Sequence, residues 1–157
     1  MALNGFKPPR HTARGIVVHG GKILLMERWR PGLHYFSIPG GGIEKGETAE
    51  ATVNRELIEE TTVIATIERP VFEMRDGKVV HHIYLCKYVS GEPHLPPDAP
   101  EAREMNDENR FKPGWVSIAD LDSLPFTYWQ PLKQPLIDGL REGFGEGVKI
   151  VNAPSAR

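Results

Sequence analysis

The chain has 157 residues, of which 39% are hydrophobic and 25% charged, with a formal net charge of -2. That length and balance suit a single domain with a sizeable core and exclude a disordered or fibrous chain. The slight acidic excess argues against a broad nucleic-acid-binding surface, yet leaves room for a small phosphorylated ligand, which needs only a few local cations. Residues 1–12 predict an irregular arm with no apolar run of signal-peptide type. Gly15 to His19 and Lys22 to Glu27 predict strands joined at Gly20-Gly21, a two-residue hairpin signal. Arg28 to Tyr35 reads as a polar loop containing Pro31 and Gly32, followed by a short extended piece over Phe36 to Ile38. Thr48 is a candidate N-cap for a helix from about Ala49 to Thr61, with Glu50 in its first turn and Val53, Leu57 and Ile58 as apolar contacts.

Beyond that helix, Val63 to Met74 is rich in β-branched residues and predicts a strand, Arg75-Asp76-Gly77 a turn, and Lys78 to Val89 a return strand. The lone Cys86 lies in that return strand and excludes an internal disulfide. Ser90 to Asn109, with four prolines and a run of charge, reads as a long loop. Trp115 to Ile118 predicts a short strand, Asp120 to Leu124 a helical turn closed by Pro125, and Gln130 to Gly143 a final helix. Within that helix Pro131 suits the first turn, whereas Pro135 predicts a delayed start or a kink. Residues 144–157 read as a tail. No stretch approaches ~18 apolar residues, so no membrane span is expected, and a reducing cytoplasm is the expected compartment. One central helix between strands, plus a terminal helix, predicts an α/β fold with a mixed sheet and helices on both faces.

The chemistry concentrates in residues 41–63, GGIEKGETAEATVNRELIEETTV. On a helix, Glu56, Glu59 and Glu60 fall within an arc of ~100°. Like charges at these spacings destabilise a helix by a few tenths of a kcal/mol each, and a hard divalent cation such as Mg²⁺ removes that repulsion. The same pattern is also that of a solvated acidic helix face. Beside it, Arg55 admits two readings: a simple i,i+4 pair with Glu59, or a cation that orients several carboxylates.

The wider spacing resolves the first of these choices. Gly41, five residues, Glu47, seven residues, then Arg55-Glu56-Leu57-Ile58-Glu59-Glu60 resembles the signature of the Nudix hydrolase family. Every charged position matches, as do the first Gly, Leu57 and Val63, and Thr62 stands where the family has its second Gly. The resemblance implies an α/β/α sandwich with a mixed central sheet, and a Mg²⁺ cofactor (Mn²⁺ as substitute) held by Glu56, Glu59, Glu60 and the backbone carbonyl of Gly40. Gly41 would let the backbone approach the ligand closely, and Arg55 with Glu47 would orient the carboxylates. The implied reaction is hydrolysis of a diphosphate linkage in a nucleoside diphosphate joined to another moiety. Metal-bound water attacks in such a reaction, and a carboxylate accepts its proton.

Family members differ in which carboxylate accepts that proton, some using a residue on the loop before the Trp-containing strand. Here that loop offers Glu101, Glu104 and Glu108, with Glu108 the preferred choice and an exposed loop charge the plain alternative. Arg28, Arg30 and His34, on the loop after the second strand, are candidate contacts to phosphate or base; Arg suits bidentate phosphate binding. Tyr35, Phe36 and Trp129 are candidates for stacking a base or for the core. His81 and His82 are strand neighbours and should face opposite ways, which argues against a shared zinc site. The Pro or Tyr that marks some subgroups downstream is not evident at residues 78–81. Thr62 is either strained in a left-handed helix cap or part of an extended exit; Thr61-Thr62-Val63-Ile64 is β-prone, which favours the extended exit. A catalytically silent nucleotide-binding or sensor domain is the alternative function, and the intact Arg55, Glu56, Glu59 and Glu60 favour the enzyme. The sequence names neither the substrate nor the oligomer, leaving both a monomer and a homodimer open.

Overall fold

The structure is a computed structural model, and it describes residues 7–154, apart from the side chain of Glu101. The predicted arm lies partly outside this range; its last residues, from Arg10, are already strand. Strand β1 (Arg10–His19) turns through Gly20 and Gly21 into β2 (Lys22–Arg30). Both glycines have positive φ, 58° and 74°, as a tight hairpin turn of this twist requires. The segment read as a polar loop after Glu27 is instead a second hairpin. Strand β2 runs on to Arg30, turns at Pro31-Gly32, and returns as β3 (Leu33–Ser37) with Arg28 opposite Tyr35 and Trp29 opposite His34. Local composition hid this hairpin, because its strands carry charge on positions that face a cleft instead of a core.

Three glycines form β4 (Gly40–Gly42), paired antiparallel with Thr12–Arg14 of β1. Helix α1 (Ala49–Thr61) then begins at Thr48, whose hydroxyl accepts a hydrogen bond from the Ala51 N–H at 3.1 Å. Strands β5 (Ile64–Arg75) and β6 (Val79–Ser90) form a long antiparallel pair. Their turn is locked by Asp76, whose carboxylate accepts from the N–H groups of Lys78 and Val79. The segment 90–109 is not wholly irregular: it contains a short helix α2 (Pro100–Glu104), with Pro100 in its first turn and Ala99 buried beneath it. Strand β7 (Arg110–Ser117) is longer than its predicted core and pairs with β2. The 3₁₀ turns at 118–123 and 127–129 lead into α3 (Gln130–Glu142). Pro135 does not delay α3, which starts at Gln130; it lies within the first two turns, where it removes one backbone donor. The predicted tail also acquires structure, since β8 (Lys149–Asn152) adds to the sheet edge parallel to β5.

The strands form one mixed eight-stranded sheet in the order β3-β2-β1-β6-β5-β8, with β4 on β1 and β7 on β2. Its centre is the parallel pair β1–β6. Each face carries its own core, because side chains alternate along a strand. Val53 and Leu57 of α1 pack with Ala13, Val17 and Leu24 on one side. Leu132, Leu136 and Ile137 of α3 pack with Ile16, Ile23, Leu25 and Ile83 on the other. The result is the expected α/β/α sandwich.

β1 and β2 stay paired only near their turn, at Val18–Ile23 and His19–Lys22. Further along, β1 takes β4 as its neighbour, while the same edge of β2 takes β3 and β7 runs along the other edge of β2. The sheet therefore opens between β1 and β2, and the candidate site lies at that opening.

Candidate active site

The glycine loop and α1 are built against each other. A Cβ on Gly40 would run into the Ala13 carbonyl and the Arg14 side chain, so the tight β4–β1 pairing needs glycine there. A Cβ on Gly41 would stand 2.5 Å from Glu56 Oε1, so its absence is what lets the Glu56 carboxylate lie on the loop backbone. Along α1, Glu56 and Glu60 are only 7% and 8% exposed, whereas Glu59 is more open to solvent. A purely solvated acidic face would not bury two of its three carboxylates.

Arg55 ties this arrangement together. It clasps Glu47 through two hydrogen bonds, Nε to Oε2 at 2.8 Å and Nη2 to Oε1 at 3.0 Å. Its Nη1 donates to Glu56 at 3.0 Å and to Glu59 at 3.3 Å, and Nη2 also donates to the Gly42 carbonyl. The i,i+4 contact with Glu59 is thus the longest of the set, and the fork to Glu47 is the main anchor. Glu47 accepts further bonds from the Thr52 hydroxyl at 2.6 Å and the Glu44 N–H at 3.1 Å. Hydrogen bonding from Arg55, and then from Thr52, holds the Glu47 carboxyl down to about 2. The same bond, with Glu56 nearby, pushes the Arg55 guanidinium above its ordinary value.

Among the described residues, no three carboxylate, imidazole or thiol groups converge on one point as ligands around a cation do. Arg55 accounts for part of this, since it draws Glu56 and Glu59 to a single nitrogen. The donor set still fits a hard cation: Glu56, Glu59 and Glu60 offer carboxylate oxygens from neighbouring turns of α1, and Gly41 leaves room for the Glu56 carboxylate beside the loop backbone. His81 and His82 do face opposite ways. His81 is buried against Thr12, at 2.7 Å, and Trp129, while His82 meets His11 at 2.9 Å.

Adjoining the glycine loop is a cavity of about 290 Å³ lined by Arg10, Arg14, Arg28, Arg30, Tyr35, Ser37, Tyr128 and Trp129. Arg28 and Arg30 alternate on β2 and share a face with Tyr35 and Ser37 of the paired strand. Arg14 donates to the Ile38 carbonyl at 2.9 Å and lies 4.6 Å above the Trp129 ring. Arg28 stacks 3.9 Å over Phe111. Burial lowers the Arg28 pKa, and the charges of Glu60 and Glu104 act on it in the opposite sense. That coupling joins the cavity electrostatically to the acidic helix.

The structure separates the remaining sequence candidates. His34 sits on the other face of the β2–β3 hairpin, bonded to Glu27 at 2.7 Å and stacked on Trp29, away from Arg28 and Arg30. Glu108 is exposed in a turn where its N–H donates to Asn106, whereas Glu104 is the loop carboxylate that acts on Arg28. The side chain of Glu101 lies outside the described residues. Tyr35 and Trp129 line the cavity, while Phe36 does not. Sequence reasoning missed Arg10, Arg14 and Tyr128. The first two were legible as alternate residues of one strand, had the arm been read as strand from Arg10.

Thr62 adopts the left-handed cap, φ 61° and ψ 8°, so the extended exit favoured by β propensity is not formed. Its N–H donates to the Ile58 carbonyl, and its hydroxyl donates to the Glu92 carbonyl at 2.8 Å. That tertiary bond offsets the cost of the Cβ and ties the helix end to the following loop.

Known proteins share this fold. An ADP-ribose pyrophosphatase of Methanocaldococcus jannaschii is 35% identical over 101 residues, covering 60% of this chain and 60% of that protein. The chain thus spans well under the full length of that relative. A crystal structure of a NUDIX hydrolase from Nitrosomonas europaea superposes with a TM-score of 0.67 at 18% identity, covering 94% of this chain and 81% of the other. An ADP-ribose pyrophosphatase from Streptococcus suis gives 0.66 at 21% identity, covering 91% and 99%; at such identities these two likenesses speak for the fold alone. The NUDIX domain profile matches residues 9–138, from the first strand through most of α3, and with the glycine loop and glutamate helix in their expected relation, this chain belongs to the NUDIX family.

Proposed function

We propose that this protein hydrolyses a diphosphate linkage in a nucleoside diphosphate joined to another moiety, with Mg²⁺ as cofactor and Mn²⁺ as a substitute. The observation that carries this reading is the Arg55 network, which gathers Glu47, Glu56 and Glu59 on one guanidinium, with Glu56 lying beside Gly41. Glu56, Glu59, Glu60 and the Gly40 carbonyl would hold the cation. When bound, the cation neutralises diphosphate oxygens, lowers the pKa of a water and stabilises the departing phosphate. Arg55 and Glu47 keep the carboxylates oriented, a role whose loss weakens metal sites by about 10–100-fold. Arg28 and Arg30 bind phosphate oxygens, Arg28 from a stacked position that limits its freedom. A carboxylate accepts the proton from the attacking water; Glu60 on α1 and Glu104 at the end of α2 are the candidates, with Glu108 behind them. The similar ADP-ribose pyrophosphatase of Methanocaldococcus jannaschii makes ADP-ribose the first substrate to try.

The test is turnover by the purified chain on ADP-ribose, a nucleotide sugar, a dinucleoside polyphosphate, a deoxynucleoside triphosphate and a capped RNA, read by release of phosphate or nucleotide. Hydrolysis of at least one in Mg²⁺ or Mn²⁺, abolished by EDTA, is expected. Nucleotide binding without turnover of any of them would favour the silent sensor domain instead.

A further inference from the structure

Four arginines around one small cavity are more positive charge than a diphosphate linkage calls for. A diphosphate diester carries two negative charges, and a cation held by α1 would already balance them. Arg10, Arg28 and Arg30 form no ion pair with a carboxylate among the described residues. Arg28 Nε is buried and has no hydrogen-bond acceptor among them either. A buried cationic donor such as Arg28 Nε is costly unless an acceptor completes it. A sugar or another neutral polyhydroxyl group would supply no such charge.

The cavity is also the right size for a part of a ligand. Its volume of about 290 Å³ is at the lower edge of small-molecule sites, which run from roughly 300 Å³ upward. Its walls constrain what enters. The Arg14 guanidinium is seated over Trp129 and the Arg28 guanidinium over Phe111, so each presents its N–H edge in a set direction. Arg10 reaches back toward the glycine loop, its Nε lying 3.9 Å from where a Cβ on Gly42 would stand. Arg10 thus stands between this cavity and the glycine loop.

We propose that the Arg10–Arg14–Arg28–Arg30 cavity binds a further phosphate group of the substrate, beyond the diphosphate that is cleaved. This rests on the diphosphate-hydrolase reading and narrows it to substrates carrying additional phosphate. The group is either a phosphomonoester on the attached moiety or the continuation of a polyphosphate chain; both offer the dense oxyanion charge that guanidinium forks match.

Two measurements on the full chain test this. The first reads the cavity without hydrolysis, by calorimetry in EDTA with AMP and with adenosine 3′,5′-bisphosphate or inorganic tripolyphosphate. At least one of the phosphate-rich probes should bind tighter than AMP by roughly tenfold, the order of one charge-assisted contact. The preference should vanish in Arg10→Gln/Arg30→Gln, both exposed positions whose replacement should leave the melting curve unchanged. The second reads kcat/KM in Mg²⁺ for ADP-ribose, for its phosphomonoester-bearing analogue and for a dinucleoside polyphosphate, and the preferred substrate identifies the source of the extra phosphate. Equal affinity for AMP and both phosphate-rich probes would overturn the proposal, as would a preference that survives in the double variant. A preference that the double variant abolishes, without turnover of any substrate, would support the cavity assignment while refuting the hydrolase reading.

Discussion

The acidic helix and the arginine cavity are neighbours with opposite electrostatic designs. Around α1 the charges answer one another: Arg55 reaches Glu47, Glu56 and Glu59 at once, and Glu47 is held from three sides. In the cavity, Arg10, Arg28 and Arg30 form no ion pair with a carboxylate among the described residues. One region is complete enough to fix its own geometry. The other is held by stacking and backbone contacts. Under the proposed function the first would orient a cation, which calls for rigidity, and the second would receive a polyanion. The two also differ in how their parts are gathered. The first draws on residues 40–60, the second on four separate segments of the chain.

The comparison breaks most severely when charge is removed from the acidic side. Glu60→Gln should lower kcat by roughly 1,000-fold, the loss of several kcal/mol expected when cation-based stabilisation fails. Circular dichroism should show an unchanged fold. Wild-type turnover in this variant would refute the assignment of Glu60.

Gly41→Ala attacks the geometry and leaves the charges intact. Its Cβ would stand 2.5 Å from Glu56 Oε1, so the carboxylate must move. A displacement on the ångström scale should reduce kcat/KM by about 100-fold. Mn²⁺ affinity measured by titration should fall as well, and an unaltered affinity would mean that Glu56 does not need its seat on the loop.

A pH titration sharpens the contrast by reading the self-compensation directly. The Glu47 carboxyl sits at about 2 in the folded state against an ordinary value of 4.5. A folded value below the unfolded one means that its contribution to stability is complete above about pH 4.5 and is lost as pH falls toward 2. In metal-free buffer, the melting curves of wild type and Glu47→Gln should therefore separate above about pH 4.5 and converge toward pH 2. A constant offset across that range would show that Glu47 titrates normally.

The smallest effect concerns the far end of α1. Thr62→Ala keeps a Cβ in the left-handed cap and removes the bond to Glu92, so it should destabilise by about 1 kcal/mol. Thr62→Gly loses the same bond but relieves a Cβ penalty of about 1 kcal/mol, so it should be nearly neutral. Equal losses in the two variants, measured by denaturant unfolding, would show that the cap carries no strain.

The legible parts share one property: their determinants are close together in the chain. The Thr48 cap, the Glu56–Glu59–Glu60 face, the Gly20-Gly21 hairpin and the Asp76-Gly77 turn each depend on residues within about one turn or one hairpin. The Nudix-type spacing extends this to residues 41–63 and carried the fold with it. Thr62 marks the limit of such reasoning. Its neighbours favour extended backbone, but a bond to Glu92, thirty residues on, accompanies the opposite conformation.

What the sequence determined by itself is therefore the mixed α/β architecture, the family, and the clustering of Glu56, Glu59 and Glu60 on one helix. Only the tertiary structure decided that β1 begins at Arg10, that residues 149–152 close the sheet edge, and that His34 faces away from Arg28. It alone gathered Arg10, Arg14, Arg28 and Arg30 around one cavity. The physical reason is that helix periodicity, caps and turns are written in neighbouring residues. Strand pairing and the meeting of like charges depend instead on long-range register, which is set by two cores packing on opposite faces of one sheet.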